Sequence, residues 1–401
     1  MTDCGWGLAV AVMSLLLAGP AVAGPKYKVL HEFGGRQDGA GVWDSLVFDQ
    51  KGSLYGTTSG GGAGEYGTVF ELAPDKSGNW TETVLYSFRD PFRTNDGGIP
   101  FGGVILDSHG NVYGTTQFGG PYGHGTVFEL THGAEVWTEN ILYNFCPHSG
   151  CQDGGSPWAG LTWDRKGNLY GTAGVVFELS PASGGWHEKV IHRFTKPKDG
   201  GGPYAGLILD VAGNLYGTTE GGGAHLYGTV YEVRHTSSGW KEQVLHSFPS
   251  FRGDGRTPGV GALIMDGSGA IYGTTAGGGC CGGVVFRLTP GSGGRWKETI
   301  LYEFQGGAAG FEPGAGVVMD HAGNLYGTTI AGGSTQCSCG VVYKLAPRAK
   351  GKWNYTVLHV FTGYDGAQPD ANLILDSQGN LYGTTATGGV YGGGVVFEIT
   401  P

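Results

Sequence analysis

Hydrophobic positions along this chain fall into short runs of four to nine residues, and the runs recur in a fixed order of four. The first is apolar and ends in Asp, as in residues 104–107 and 207–210. The second follows a turn, as in residues 111–116 and 214–219, and the third is a Val-Phe-Glu-Leu segment, as in residues 69–72 and 176–179. The fourth starts near Trp and ends in Phe, as in residues 80–88, 240–248 and 353–361. Runs of this length, rich in β-branched and aromatic residues and bounded by Gly, Asn and Asp, predict strands. Successive residues of a strand point to opposite faces, yet Leu54 and Tyr55, like Leu215 and Tyr216, are both apolar or aromatic. Each sheet is therefore expected to be buried on both faces, between two other sheets.

The order repeats seven times. Tyr-Gly-Thr-Thr begins at Tyr55, Tyr113, Tyr216, Tyr272, Tyr326 and Tyr382, with Tyr-Gly-Thr-Ala at Tyr170. Successive copies lie 58, 57, 46, 56, 54 and 56 residues apart, and the short interval reflects a missing Gly-rich loop after Tyr170. Between the first and second runs stands Asp-x-x-Gly-Asn or a close variant, starting at Asp49, Asp107, Asp164, Asp210, Asp266, Asp320 and Asp376. Asp there bonds the backbone ahead and Gly accepts positive φ, so turn chemistry accounts for these seven carboxylates without a catalytic role.

Four strands per repeat make a propeller blade. Seven fourth-type runs end at Phe33, Phe88, Phe145, Phe194, Phe248, Phe304 and Phe361, but the first of them precedes every first-type run, and the last unit stops after its third run, residues 395–399. The fold expected is all-β: a seven-bladed β-propeller with four antiparallel strands per blade, the last blade closed by the N-terminal strand at residues 27–33. The blades are placed at residues 45–88, 102–145, 160–194, 206–248, 261–304, 316–361, and 372–400 with 27–33, all in one domain spanning 24–401.

Units such as Asn324, Leu325, Tyr326, Gly327, Thr328, Thr329 through Gly340, Val341, Val342, Tyr343 resemble the GloVer tandem repeat of bacterial secreted and surface proteins, over essentially the whole chain after residue 23. The resemblance implies export, often with a C-terminal anchor for which no segment is seen here, and it implies no established activity.

Composition adjusts this picture in three respects. The 82 glycines follow no three-residue period and accompany 12% aromatics, so they serve turns, not collagen or disorder. A net charge of −10 with no basic stripe argues against nucleic acid or an anionic membrane as partner. The apolar stretch at residues 8–17, followed by Ala21, Val22 and Ala23, reads as a signal peptide over residues 1–23, although its start lacks Lys or Arg and contains Asp3. A secreted, periplasmic or extracellular monomer without a membrane span is expected.

Cys4 would leave with the signal, and the six remaining cysteines, Cys146, Cys151, Cys280, Cys281, Cys337 and Cys339, are disulfide candidates in an oxidising compartment. Cys146 and Cys151 bracket one short loop, whereas the other four fall in equivalent loops of two successive units. Their spacing is not C-x-x-C, which disfavours a four-thiolate zinc site.

Loops joining fourth to first runs, and second to third runs, are expected on one face of the ring. That face carries long variable loops and is the expected binding face. Just before the innermost strand, near the channel mouth, stand Trp43, Phe101, Trp158 and Tyr204 in the first four units, then Val260, Gly314 and Asp370. An arc of four rings suits stacking on a carbohydrate, another small molecule or a peptide side chain; the alternative is burial between blades. Asp38, Asp96, Asp153, Asp199, Asp254 and Asp365 each precede Gly in the same loops, as turn residues or, alternatively, as calcium ligands. Otherwise no metal ligand, cofactor or catalytic residue is assigned. His192, His246 and His359 alternate with Tyr86, Tyr143 and Tyr302 at one position of the fourth run, which reads as packing. His124 and His225 are in loops that could face the channel. The primary expectation is a binding or interaction propeller. The alternatives are an exported enzyme of the polysaccharide lyase or hydrolase type, and a purely structural envelope protein.

Overall fold

The computed structural model describes residues 24–133, 136–249, 253–280 and 282–401. The signal peptide assigned to residues 1–23 and Cys281 lie outside them. Seven antiparallel sheets form the blades of a propeller, with strands that run from the axis outward in chain order. Blade one consists of Val47–Phe48, Leu54–Thr58, Thr68–Pro74 and Trp80–Ser87. Blade four is Ile208–Leu209, Leu215–Thr219, Thr229–Thr236 and Gly239–Ser247, and blade five ends in the outer strand Trp296–Glu303. In blade three, Leu169–Thr172 passes to Val175–Ala182 through a tight turn in which Ala173 N donates to Val175 O at 2.9 Å, the shortened hairpin expected there. Among the described residues, no helix is long and apolar enough to cross a membrane.

Ring closure is as the order of runs requires. Lys26–Glu32 forms the outer strand of blade seven, pairing antiparallel with Val395–Thr400 from Lys26 opposite Thr400 to Glu32 opposite Val395.

The hydrophobic core is divided among the seams. Each of seven apolar clusters joins two neighbouring blades; Tyr55, Val69, Leu85 and Phe88 of blade one, for example, meet Val104, Val112, Phe128 and Leu130 of blade two. The Phe that ends each outer strand packs at an angle on a ring in the third strand of the next blade. Phe88 lies 5.3 Å from Phe128, Phe194 5.0 Å from Tyr231, and Phe33 5.1 Å from Phe70 across the closure. Angled ring pairs at this spacing add to the burial of the rings themselves.

The Tyr-Gly-Thr-Thr strand is buried along its whole length. Its Tyr hydroxyl donates to the turn Asp, as Tyr216 does to Asp210 at 3.1 Å and Tyr326 to Asp320 at 3.0 Å. Its Gly leaves room for the third-strand ring, since a Cβ on Gly56 would meet Phe70 Cζ at 2.7 Å. The first Thr reaches across the seam, with Thr115 Oγ1 donating to Ala159 O at 2.9 Å and Thr274 Oγ1 to Ala315 O at 2.7 Å. The second clamps its own loop, as when Thr116 Oγ1 donates to Phe118 O at 2.9 Å.

Both sets of variable loops emerge on one face and pair with each other there. Gly97–Gly98 pairs with Phe118–Gly119, and the bridges Ala40 to Gly60, Gly201 to Gly221, Phe311 to Ala331 and Ala367 to Thr387 repeat the contact in other blades. This second tier of backbone pairing makes a rigid rim around the channel mouth.

Candidate aromatic site at the channel mouth

The four rings expected near the mouth stand side by side. Phe101 and Trp158 are stacked, with centroids 4.8 Å apart and planes 13° from parallel. Trp43 flanks Phe101 at 6.2 Å and Tyr204 flanks Trp158 at 5.6 Å, both tilted by 58°. Residues of four consecutive blades thus form one continuous arc. The rings are not enclosed between blades: Trp158 is 40% and Tyr204 36% exposed, and Val260, the next residue in the series, is 43% exposed. Trp43 is held from below by a hydrogen bond from its Nε1 to Ser59 Oγ at 3.0 Å.

Opposite the arc the series continues with Gly314 and Asp370, and the small residue makes room for the carboxyl. A Cβ on Gly314 would collide with Asp370 Oδ1. A cavity of about 330 Å³ lies between the two halves, lined by the four rings together with Asp44, Asp370 and Asn372. A second hollow of about 410 Å³ adjoins it beneath Tyr204 and Val260 and shares Asp370. Volumes of this order accommodate a small ligand.

The polar groups of the floor differ in their partners. Asp44 accepts from Ser45 N and from Gly103 N of the next blade, both at 2.6 Å, and Asn372 Oδ1 accepts from Gly316 N at 2.6 Å. Burial pushes the Asp44 carboxyl up while those amides draw it back. Asp370 Oδ1 is buried with no hydrogen-bond partner among the described residues. Burial, then the nearby Asp44 and Glu312 carboxylates, push Asp370 up to about 7. Asp44 thus has backbone amides engaged on both of its oxygens, whereas Asp370 keeps a buried oxygen without one.

Other candidates fall elsewhere. His124 and His225 are exposed and line neither hollow, because their loops fold outward against the neighbouring loop, as in the bond from Ser156 N to His124 O at 2.7 Å. The six Asp-Gly carboxylates do not gather around one point; each closes its own loop in a separate seam. Asp38 accepts from Gly34 N at 2.8 Å, Asp153 from Cys146 N at 2.8 Å and Asp365 from Thr362 N at 2.8 Å. Cys146 bonds Cys151 and Cys337 bonds Cys339, each pair within one loop. Cys280 Sγ lies 3.4 Å from Phe304 O. A larger hollow of about 600 Å³ between blades three and four opens on the opposite face, but its Asp164 and Asp210 are spent on their own turns.

Sequence reasoning missed Asp44 and Asn372. It also missed a recurrent Glu two residues after the Trp of five outer strands: Glu82, Glu139, Glu188, Glu242 and Glu298. The Trp-x-Glu spacing was the available signal. In the structure each of these Glu faces the His or Tyr of the preceding outer strand and the Asp of the loop between, as Glu139 does Tyr86 and Asp96.

The sequence matches the Gloeobacter/Verrucomicrobia repeat over residues 19–174, 172–299 and 262–401. No curated protein is similar to it in sequence. Among solved structures, a candidate 6-phosphogluconolactonase from Bacteroides uniformis superposes with a TM-score of 0.51 at 11% identity, over 82% of this chain and 88% of that one. A gluconolactonase from Xanthomonas campestris gives a TM-score of 0.43 at 13% identity, over 94% and 89%. At such identities the likeness is one of fold.

Proposed function

The chain belongs to the Gloeobacter/Verrucomicrobia repeat family, and from that premise of seven near-equivalent blades we propose that its function lies where the blades diverge, as an exported propeller that binds carbohydrate at the channel mouth. The observation that carries the reading is the stack of half-buried Phe101 on exposed Trp158, extended by Trp43 and Tyr204, facing a floor of Asp44, Asp370 and Asn372. Flat rings take the apolar face of a sugar, and side-chain carboxyl and amide groups take its hydroxyls. Export agrees with two disulfides, which persist in oxidising compartments, and with the apolar leader at residues 8–17.

A glycan array, followed by titration monitored through tryptophan fluorescence, tests this. Trp158→Ala is expected to weaken binding about tenfold or more, since losing ~1.4 kcal/mol of ring contact is a factor of ten. Trp158→Phe retains most of it. Equal affinity of wild type and Trp158→Ala for every glycan bound would remove the arc from the function.

A hydrolytic reading has one specific observation in its favour, the Asp370 carboxyl held up to about 7 beside Asp44. Two neighbouring carboxyl groups, one of them held protonated towards neutral pH, are the kind of pair that glycoside cleavage uses. If bound glycans are turned over, Asp370→Asn abolishes turnover while leaving binding in place.

A further inference from the structure

Three seams combine a His of one outer strand, an Asp of the connecting loop and a Glu of the next outer strand. They are His31, Asp38 and Glu82; His192, Asp199 and Glu242; and His246, Asp254 and Glu298. In all three the imidazole stands off from the Asp: Nε2 to Oδ2 is 3.5 Å for His31, 3.9 Å for His192 and 3.8 Å for His246. The seam between blades six and seven supplies an internal control. There Tyr27 replaces the Glu and stacks on His359 at 3.8 Å, and the imidazole closes to 3.0 Å from Asp365 as an ordinary hydrogen bond. A facing Glu thus accompanies an opened His and Asp pair.

Of these seams, the one between blades four and five converges most tightly, with one donor atom from each of His246, Asp254 and Glu298 within 4.8 Å of the others. His246 Nε2 lies 3.5 Å from Glu298 Oε2 and 3.8 Å from Asp254 Oδ2. These separations are too long for hydrogen bonds. They match two ligands bound about 2.1 Å from a shared ion at the tetrahedral angle, which lie about 3.4 Å apart. His246 Nε2 and Glu298 Oε1 are both buried with no hydrogen-bond partner among the described residues. Glu298 can therefore supply the fourth donor atom as well as the third. The outer ligands are braced: Gly255 N donates to Asp254 Oδ1 at 2.6 Å, and the His246 ring packs edge-on against Phe248 at 4.7 Å.

We propose that His246, Asp254 and Glu298 bind a divalent transition-metal ion of the zinc type, which clamps blade four to blade five. As ligands, two carboxylates and a neutral imidazole supply a charge of −2, which a divalent cation balances. Imidazole among the ligands selects zinc, cobalt or a similar ion over calcium, which prefers oxygen alone.

The test uses the chain from residue 24 onward, stripped with chelator, dialysed and supplied with micromolar Zn²⁺ or Co²⁺. Wild type is expected to retain about one equivalent of zinc after desalting, to show the visible absorption of a Co²⁺ site with nitrogen and oxygen ligands, and to melt several degrees higher with zinc. His246→Tyr and Glu298→Gln are each expected to reduce affinity roughly tenfold or more and to abolish the cobalt spectrum. Tyr is the residue that this position carries in three other blades, so His246→Tyr preserves the seam, and the wild-type melting shift reads the site without any variant. Retention of less than a tenth of an equivalent by wild type, retention by both variants equal to wild type, or displacement of zinc by equimolar calcium would each overturn the proposal.

Discussion

At the scale of single residues, the repeated tetrapeptide has one job per side chain, and the exceptions to its pattern predict mutational outcomes of opposite sign. Thr115 donates from a buried hydroxyl to Ala159 O across the seam at 2.9 Å, so Thr115→Val strands a buried carbonyl. The expected cost is about 1–3 kcal/mol, visible as a lower Tm in calorimetry. Thr328 occupies the same place in blade six, yet its buried hydroxyl has no partner among the described residues. Thr328→Val keeps the shape and removes an unsatisfied group, so it is expected to be neutral or stabilising in the same measurement. The sequence alone presents these two threonines as equivalents; they differ in the backbone that the next blade brings opposite them. The aromatic arc was legible because its four residues share one register position in successive units. Asp44 and Asp370 were not paired, because 326 positions separate them and only ring closure brings them to one hollow.

At the scale of strands and loops, the outer seams hold carboxyl groups whose ionisation is linked to folding. Burial, with help from Asp153 and against Arg193, pushes Glu188 up to about 7 from its ordinary value of 4.5. Between those values the folded protein keeps a proton that the unfolded chain has lost. Its stabilising contribution is therefore complete below pH 4.5 and disappears as pH rises through about 7. Glu82 and Glu242, each raised to about 7, act in the same direction. Burial lowers His31 and His192, whose contribution is instead lost as pH falls. Glu188→Gln removes one member of the first group and should flatten the decline in Tm between pH 5 and pH 7.5; parallel profiles for variant and wild type would contradict the linkage. These seams escaped the sequence reading in physical terms because each is shared by three elements, and alternating His and Tyr at one register looked like packing alone. The packing is there too, since each His ring meets the Phe two residues on, as His192 meets Phe194 at 4.6 Å.

At the scale of the whole molecule, stability rests on seven seams with no common centre, so the ring is only as strong as its closure. Lys26–Glu32 contributes an entire outer strand, and Leu30 and Phe33 enter the cluster that joins blade seven to blade one. Removing residues 24–33 exposes the edge of Val395–Thr400 and empties part of that cluster. A fall in Tm of about 10 °C or more is expected, with loss of hydrogen-exchange protection concentrated at residues 395–400 and in blade one. Uniform loss around the ring, or none, would contradict the role given to this strand. This much was legible from the order of the runs, because a ring of whole blades leaves one place for the leading strand. The contrast between aromatic and small residues around the rim was legible too, and the cavity between them required coordinates.

Clasping the ring by strand pairing instead of by a peptide bond makes the order of the blades cyclic. Lys26 lies opposite Thr400, so the two ends of the folded chain are neighbours, and a short turn joining them would reproduce the hairpin found at the outer edge of every other blade. A circular permutant opened at the exposed turn of residues 75–79 would then have blade one as its composite blade and leave the aromatic rim intact. In that sense the ring offers seven equivalent places at which the chain could be opened without touching the aromatic rim.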